Sequence, residues 1–239
     1  MAKKTKIFFI IISCIIIFSI IIGIIFIIRK NNQVPTAKEV FYNNVNSIVE
    51  IKAFSEDVGE SYGTAICVKS GGTFVTNAHV VTYTQVGIVT TFEEYSIRFA
   101  FEDEYRSIVL IKYDTQIDIA VLKMEDTSAP YKSIKINDKK NIDFGDKVYA
   151  IGNGSNYGLS ITQGIVSMPE VNIEYEDNIR NVIQCDLTIS AGNSGGALLD
   201  KYGRLIGITT FRTKDNLGNV IYGIVYSVPI NRVLDYIKN

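Results

Sequence analysis

The sequence predicts an all-β domain behind one apolar N-terminal helix, and three observations carry that reading. Short runs rich in β-branched residues, bounded by glycine and asparagine clusters, recur from about residue 48 to residue 228. Helical periodicity in the same region and beyond is confined to residues 229–238, and a nearly uninterrupted apolar stretch occupies residues 7–28. Many short strands with close turn signals point to a barrel or sandwich rather than to a doubly wound sheet.

In residues 7–28 only Ser13, Cys14, Ser19 and Gly23 interrupt Ile and Phe. At about 1.5 Å per residue this stretch is long enough for a hydrocarbon core of about 30 Å, and it exceeds the about 7 to 15 apolar residues of a cleaved signal peptide. It is expected to be an uncleaved, single-pass signal anchor. Lys3, Lys4 and Lys6 precede it and Arg29 and Lys30 follow it. Residues 1–6 are therefore expected in the cytoplasm and the folded domain on the outer side of the cell membrane. Residues 29–40 are polar, contain Pro35 and read as a linker, with the domain over 41–239. Within it, strands are expected at 48–54, 63–68, 73–77, 95–101, 107–113, 119–124, 147–151, 159–166, 181–189, 205–212 and 220–228. Behind Pro229, the stripe Ile230, Val233, Leu234 and Ile237 is that of a helix packed on a barrel.

Composition removes several function classes. Lysine plus arginine number 24 against 25 acids, a balance that gives nucleic acid no electrostatic reason to bind. Cys14 lies in the apolar run, which leaves Cys67 and Cys185 as at most one pair far apart in sequence and offers no disulfide framework. Cys185 alternates with Ile183, Leu187 and Ile189, so a buried thiol is expected. One histidine and scattered cysteines supply no metal-ligand cluster, and no cofactor is expected.

The remaining chemistry is that of a nucleophilic serine, which needs a base, a carboxylate to orient that base, and donors for an oxyanion. The one histidine, His79, follows an expected strand in Thr76-Asn77-Ala78-His79-Val80-Val81. Ser194 sits in Gly192-Asn193-Ser194-Gly195-Gly196, where glycine lets consecutive amides turn inward; Gly192, Asn193 and Ser194 are the expected oxyanion segment. Asp118 opens the apolar run Asp118-Ile119-Ala120-Val121-Leu122-Lys123 and is the expected orienter, with Asp114 as the alternative.

In the order His, Asp, Ser these segments resemble the chymotrypsin-like fold, and more narrowly the HtrA/DegP group of trypsin-like serine proteases. The resemblance runs over about residues 45–238. It adds Gly63-Thr64-Ala65, Gly145-Asp146-Lys147-Val148, Ala150-Ile151-Gly152-Asn153, Thr162-Gln163-Gly164-Ile165-Val166-Ser167 and Gly203-Arg204-Leu205-Ile206-Gly207-Ile208. It implies two barrels, with His79 as general base, Asp118 as its orienter and Ser194 as nucleophile of an endopeptidase acting on extracytoplasmic proteins, misfolded ones among them. It also implies a specificity pocket near Thr188, Ile189, Thr209, Thr210 and Phe211, which contain no acid, so small or medium aliphatic P1 residues are expected. Asn193 stands where digestive relatives carry an aspartate that pairs with a new N-terminus, so activity without N-terminal cleavage is expected. The chain departs from the family at Ser190-Ala191 and Ala197, and at Cys185, where threonine is common. It ends soon after the C-terminal helix, so a member without a PDZ domain is expected. A homotrimer, as in relatives, would draw on Phe41 and Tyr42; packing of those rings on their own barrel is the alternative. The competing function is a catalytically silent, membrane-anchored binding module on the same fold. An esterase would instead place its serine in Gly-x-Ser-x-Gly at a strand-to-helix elbow.

Overall fold

The computed structural model describes residues 16–23, 33–126, 130–138, 141–175, 178–214 and 220–238. Two units separate, Met1–Val34 and Pro35–Asn239. In the first, residues 16–23 are helical and their large apolar side chains are exposed. The rest of the expected anchor at 7–28 lies outside the described residues. Among the described residues no helix is long and apolar enough to cross a membrane.

The second unit opens with helix α1 (Ala37–Asn44). Thr36 caps it: its side chain accepts the Glu39 N–H, and the Glu39 carboxylate accepts the Thr36 N–H at 2.7 Å. Residues 35–40, read from sequence as linker, thus belong to the folded unit. The overlooked signal is the Thr-x-x-Glu spacing.

Strands β1 (Ile48–Ser55), β2 (Gly59–Lys69), β3 (Thr73–Thr76), β6 (Glu94–Phe99), β7 (Arg106–Ser107), β8 (Val109–Asp114) and β9 (Ile119–Lys123) form a seven-stranded sheet in the order β7-β6-β1-β2-β3-β9-β8. Between β3 and β6 the chain makes the short helix α2 (Ala78–Val81) and a hairpin of β4 (Thr82–Gln85) and β5 (Ile88–Thr91). The sequence reading has no strand at 82–91. Its two-residue turn places Val86 and Gly87 at φ 51° and 77°, and a β-branched residue there hides the usual Asn-Gly signature.

The second half is a closed barrel of β10 (Lys147–Gly152), β11 (Ser160–Tyr175), β12 (Asn178–Asp186), β13 (Ala197–Asp200), β14 (Leu205–Lys214) and β15 (Val220–Pro229), followed by helix α3 (Ile230–Lys238). β11 and β12 form a hairpin much longer than the expected strands at 159–166 and 181–189. Pro169 hides its continuity, because a proline demotes a strand reading; here it sits where the register shifts between Met168 and Val171. β13 is only four residues long, and the sequence reading has no strand there.

Among the described residues, alternation along the strands sorts the interior into three clusters. One fills the N-terminal sheet around Phe74, Ile97 and Leu122; one fills the barrel around Ile183, Cys185 and Leu198. The third joins the halves, with Ile48, Ile66 and Val121 from the sheet meeting Tyr149, Leu199 and Ile208 from the barrel, Val40 from α1 and Val233 from α3. Lys112 of β8 adds a polar tie by donating to the Tyr236 carbonyl at 2.7 Å, near the negative end of α3. The seam between the halves is where the expected site residues collect.

Candidate active site

His79 is the second residue of α2, and the residue before that helix, Asn77, is fully buried. Its side chain clasps two other segments: Nδ2 donates to the Asp118 carbonyl at 2.9 Å, and Oδ1 accepts the Gly195 N–H at 2.7 Å. Sequence reasoning missed this role, because both partners lie far from Asn77 along the chain. Asp118 stands at φ 58°, a left-handed conformation that Asp tolerates better than most residues. The alternative acid, Asp114, has a different task. Its Oδ1 accepts the N–H groups of Gln116 and Ile117, at 2.8 and 3.2 Å, and so builds the turn that presents Asp118.

Asp118 is 2% exposed and its oxygens lie 2.9 and 3.1 Å from Nδ1 of His79, whose side chain is 47% exposed. The carboxylate also accepts the His79 backbone N–H at 3.1 Å and the Thr210 hydroxyl at 2.5 Å. Burial pushes the carboxyl group up. The adjacent His79 charge, with the hydrogen bonds from His79 and Thr210, outweighs burial and holds it below the ordinary carboxylate value. Thr210 was expected as pocket wall; it does line the cavity, and its hydroxyl also braces the acid.

Ser194 follows a turn at residues 190–193, closed by the Asn193 N–H donating to the Ser190 carbonyl at 3.1 Å. Asn193, placed in the oxyanion segment from sequence, therefore has its N–H committed to the turn. Gly192 at φ 93° is what a type II turn requires at its third position, and an added Cβ would meet the Asn153 carbonyl at 2.2 Å. The Ala191 carbonyl accepts the Ser155 N–H at 2.7 Å, which fixes the 191–192 peptide. Because that peptide is trans, the Gly192 N–H points away from the Ser155 loop. Among the described residues neither the Gly192 nor the Ser194 N–H reaches a protein acceptor. The carbonyls of Gly192 and Asn193 are held by Thr64 Oγ1 and Thr209 Oγ1, each at 2.7 Å. Thr64 Oγ1 in turn accepts the Asn153 N–H, whose side chain donates to buried Glu50. These contacts order the loop without a charge on Asn193.

The Ser194 hydroxyl donates to the Thr210 carbonyl at 2.9 Å. Ser194, His79 and Asp118 line one cavity of about 260 Å³, with Ile189, Ser190, Ala191, Thr210 and Phe211. Thr188 and Thr209 do not line it: the first is exposed, and the second is buried and bonded to Asn193. Tyr175, Arg180 and Arg212 do, and none was expected from sequence. A groove of about 1240 Å³ on the N-terminal sheet is larger but contains neither the serine nor the histidine, so the smaller cavity is the candidate site.

A family model described as a trypsin-like peptidase domain matches residues 63–208, a span that includes all three residues. The chain belongs to the trypsin-like peptidase family. Within that family, its peptidase domain is 32% identical over 194 residues to a probable periplasmic serine endoprotease, DegP-like, of Buchnera aphidicola, covering 76% of this chain and 40% of that protein. It is 32% identical over 197 residues to the serine endoprotease DegS of Salmonella typhimurium, covering 82% and 51%. The chain thus spans about half the length of the curated relatives it matches. Among solved structures, the HtrA-type protease AlgW with a tripeptide superposes at a TM-score of 0.72 and 26% identity, over 85% of this chain and 63% of that one. A serine endoprotease from Yersinia pestis gives 0.67 at 28% identity, over 86% and 67%. The two-barrel, HtrA-like reading of the sequence agrees with these likenesses.

Proposed function

We propose that this chain is a membrane-anchored serine endopeptidase that cleaves extracytoplasmic proteins, misfolded chains among them, through an acyl-enzyme on Ser194. One observation carries the reading: a buried carboxylate grips Nδ1 of the single histidine, and a serine on a locked turn lines the same cavity. With Nδ1–H donated to Asp118, Nε2 is left as the base. The Ser194 hydroxyl turns from the Thr210 carbonyl toward Nε2 and gives up its proton as Oγ attacks the scissile carbonyl. The N–H groups of Gly192 and Ser194 receive the oxyanion. His79 then protonates the leaving amine and deprotonates the water that releases the acyl group.

Pairing of β13 with β14 stops at Ile208, so the edge at residues 210–212 supports an incoming peptide added as a strand. Ile189 and Phe211 favour small or medium aliphatic P1 side chains, and Arg180 and Arg212 disfavour a basic one. The apolar run at 7–28 and its basic flanks support the anchor, and the periplasmic description of the Buchnera relative supports an extracytoplasmic domain.

Fluorophosphonate labelling of the full chain is expected for wild type and absent from Ser194→Ala. Folded protein without Ser194-dependent labelling would favour the silent binding module. A peptide library cleaved mainly after lysine or arginine would overturn the aliphatic specificity. Carbonate-washed membranes should retain the full chain and lose it when residues 7–28 are deleted; wild type in the soluble fraction would remove the anchor.

A further inference from the structure

Arg180 is a buried cation that neither the sequence motifs nor the acyl-transfer steps account for. It lies on β12, its side chain is 6% exposed, and it lines the cavity that holds Ser194 and His79. A guanidinium that far from water needs its charge balanced and its N–H groups paired. Three partners belong to one short segment of the other half of the molecule. Nη2 donates to the Thr115 carbonyl at 3.0 Å, Nε donates to the Gln116 carbonyl at 3.2 Å, and Nη1 lies 3.7 Å from Oδ2 of Asp118. Its other flank is aromatic. The rings of Tyr175 and Phe211 stack with centroids 3.9 Å apart, and the guanidinium carbon lies 5.0 and 5.7 Å from those centroids.

The segment it holds has a conformation to maintain. Asp118 at φ 58° is in a sparsely populated region that surrounding contacts must enforce. Asp114 satisfies the N–H groups of Gln116 and Ile117, whereas Arg180 satisfies carbonyls of the same turn. The two side chains therefore clamp its donors and its acceptors, and the planar fork of arginine holds the two carbonyls from two different nitrogens in a fixed geometry that the single nitrogen of an ammonium does not reproduce.

We propose that Arg180 is a positioning residue that acts through Asp118, locking the 115–118 turn so that the carboxylate stays aimed at Nδ1 of His79. The inference rests on the serine-peptidase reading for its kinetic consequence and has a second readout that does not. With one histidine in the chain, selective ¹⁵N labelling of histidine yields a single imidazole, and the downfield proton of its Nδ1–H bonded to Asp118 has one source.

In full-length Arg180→Met, kcat for a peptide substrate is expected to fall about 10- to 100-fold with KM little changed, the loss typical of a misplaced catalytic group. The downfield proton should weaken or disappear while circular dichroism stays native. Arg180→Lys keeps the charge without the fork and should show an intermediate loss; it also serves if the methionine variant fails to fold. In an Asp118→Asn background, Arg180→Met should add little further loss, because a residue acting through Asp118 has nothing left to position. An unchanged downfield proton and unchanged kcat in folded Arg180→Met overturn the proposal, as does full additivity with Asp118→Asn. A protein inactive in every form that still loses the resonance on Arg180→Met would retain the positioning role and remove the peptidase reading instead.

Discussion

Asp118 keeps its charge in a place where burial opposes it, and the groups responsible can be removed one at a time. Thr210→Val deletes a hydroxyl bonded to a buried carboxylate without changing side-chain volume much, and is expected to cost about 1.5–3 kcal/mol in urea unfolding. The folded-state value of Asp118 lies below its unfolded one, so its contribution to stability is fully present above about pH 4. It is lost as pH falls through the folded value. Between pH 5 and pH 2 the unfolding midpoint of wild type should therefore fall more steeply than that of Asp118→Asn. Equal slopes would show that the carboxylate is not held ionised by its neighbours.

At the scale of elements, the turn at residues 190–193 depends on glycine twice over, through a positive φ and through the Asn153 carbonyl that a Cβ would strike. Gly192→Ala should leave far-ultraviolet circular dichroism native and remove Ser194 labelling; full labelling would mean that the 191–192 peptide is not part of the oxyanion site. Helix α3 has the opposite role, contributing Ile230 and Val233 to the cluster between the halves. Ile230→Ala is expected to lower stability by about 2–5 kcal/mol in urea unfolding. The same scale explains what could be read from sequence. His79, Asp118 and Ser194 were legible because each lies within a few residues of a strand end or glycine turn whose chemistry is local. The β4–β5 hairpin, the full β11–β12 hairpin and helix α1 were not, since Val86, Pro169 and a polar approach masked them. Asn77, Thr64, Asn153 and Arg180 take their roles from partners about 40 to 130 residues away, which no local pattern encodes.

Across the whole molecule, the two buried thiols fall in different cores, Cys67 in the N-terminal sheet and Cys185 in the barrel. Burial pushes them up to about 11 and about 12. In full-length Cys14→Ser neither should react with iodoacetamide at pH 8, and both should react in denaturant; native-state alkylation of either would mean that its core opens readily. The cores are separate, yet the site belongs to neither. Asn77 of the first half holds the Gly195 amide of the second, and the Thr64 amide holds the Ser194 carbonyl at 2.8 Å. The geometry of the candidate site is thus a property of docking. Two fragments divided between β9 and β10 would each carry an incomplete machine, and Ser194 reactivity would report their reassembly, as in a split-reporter assay.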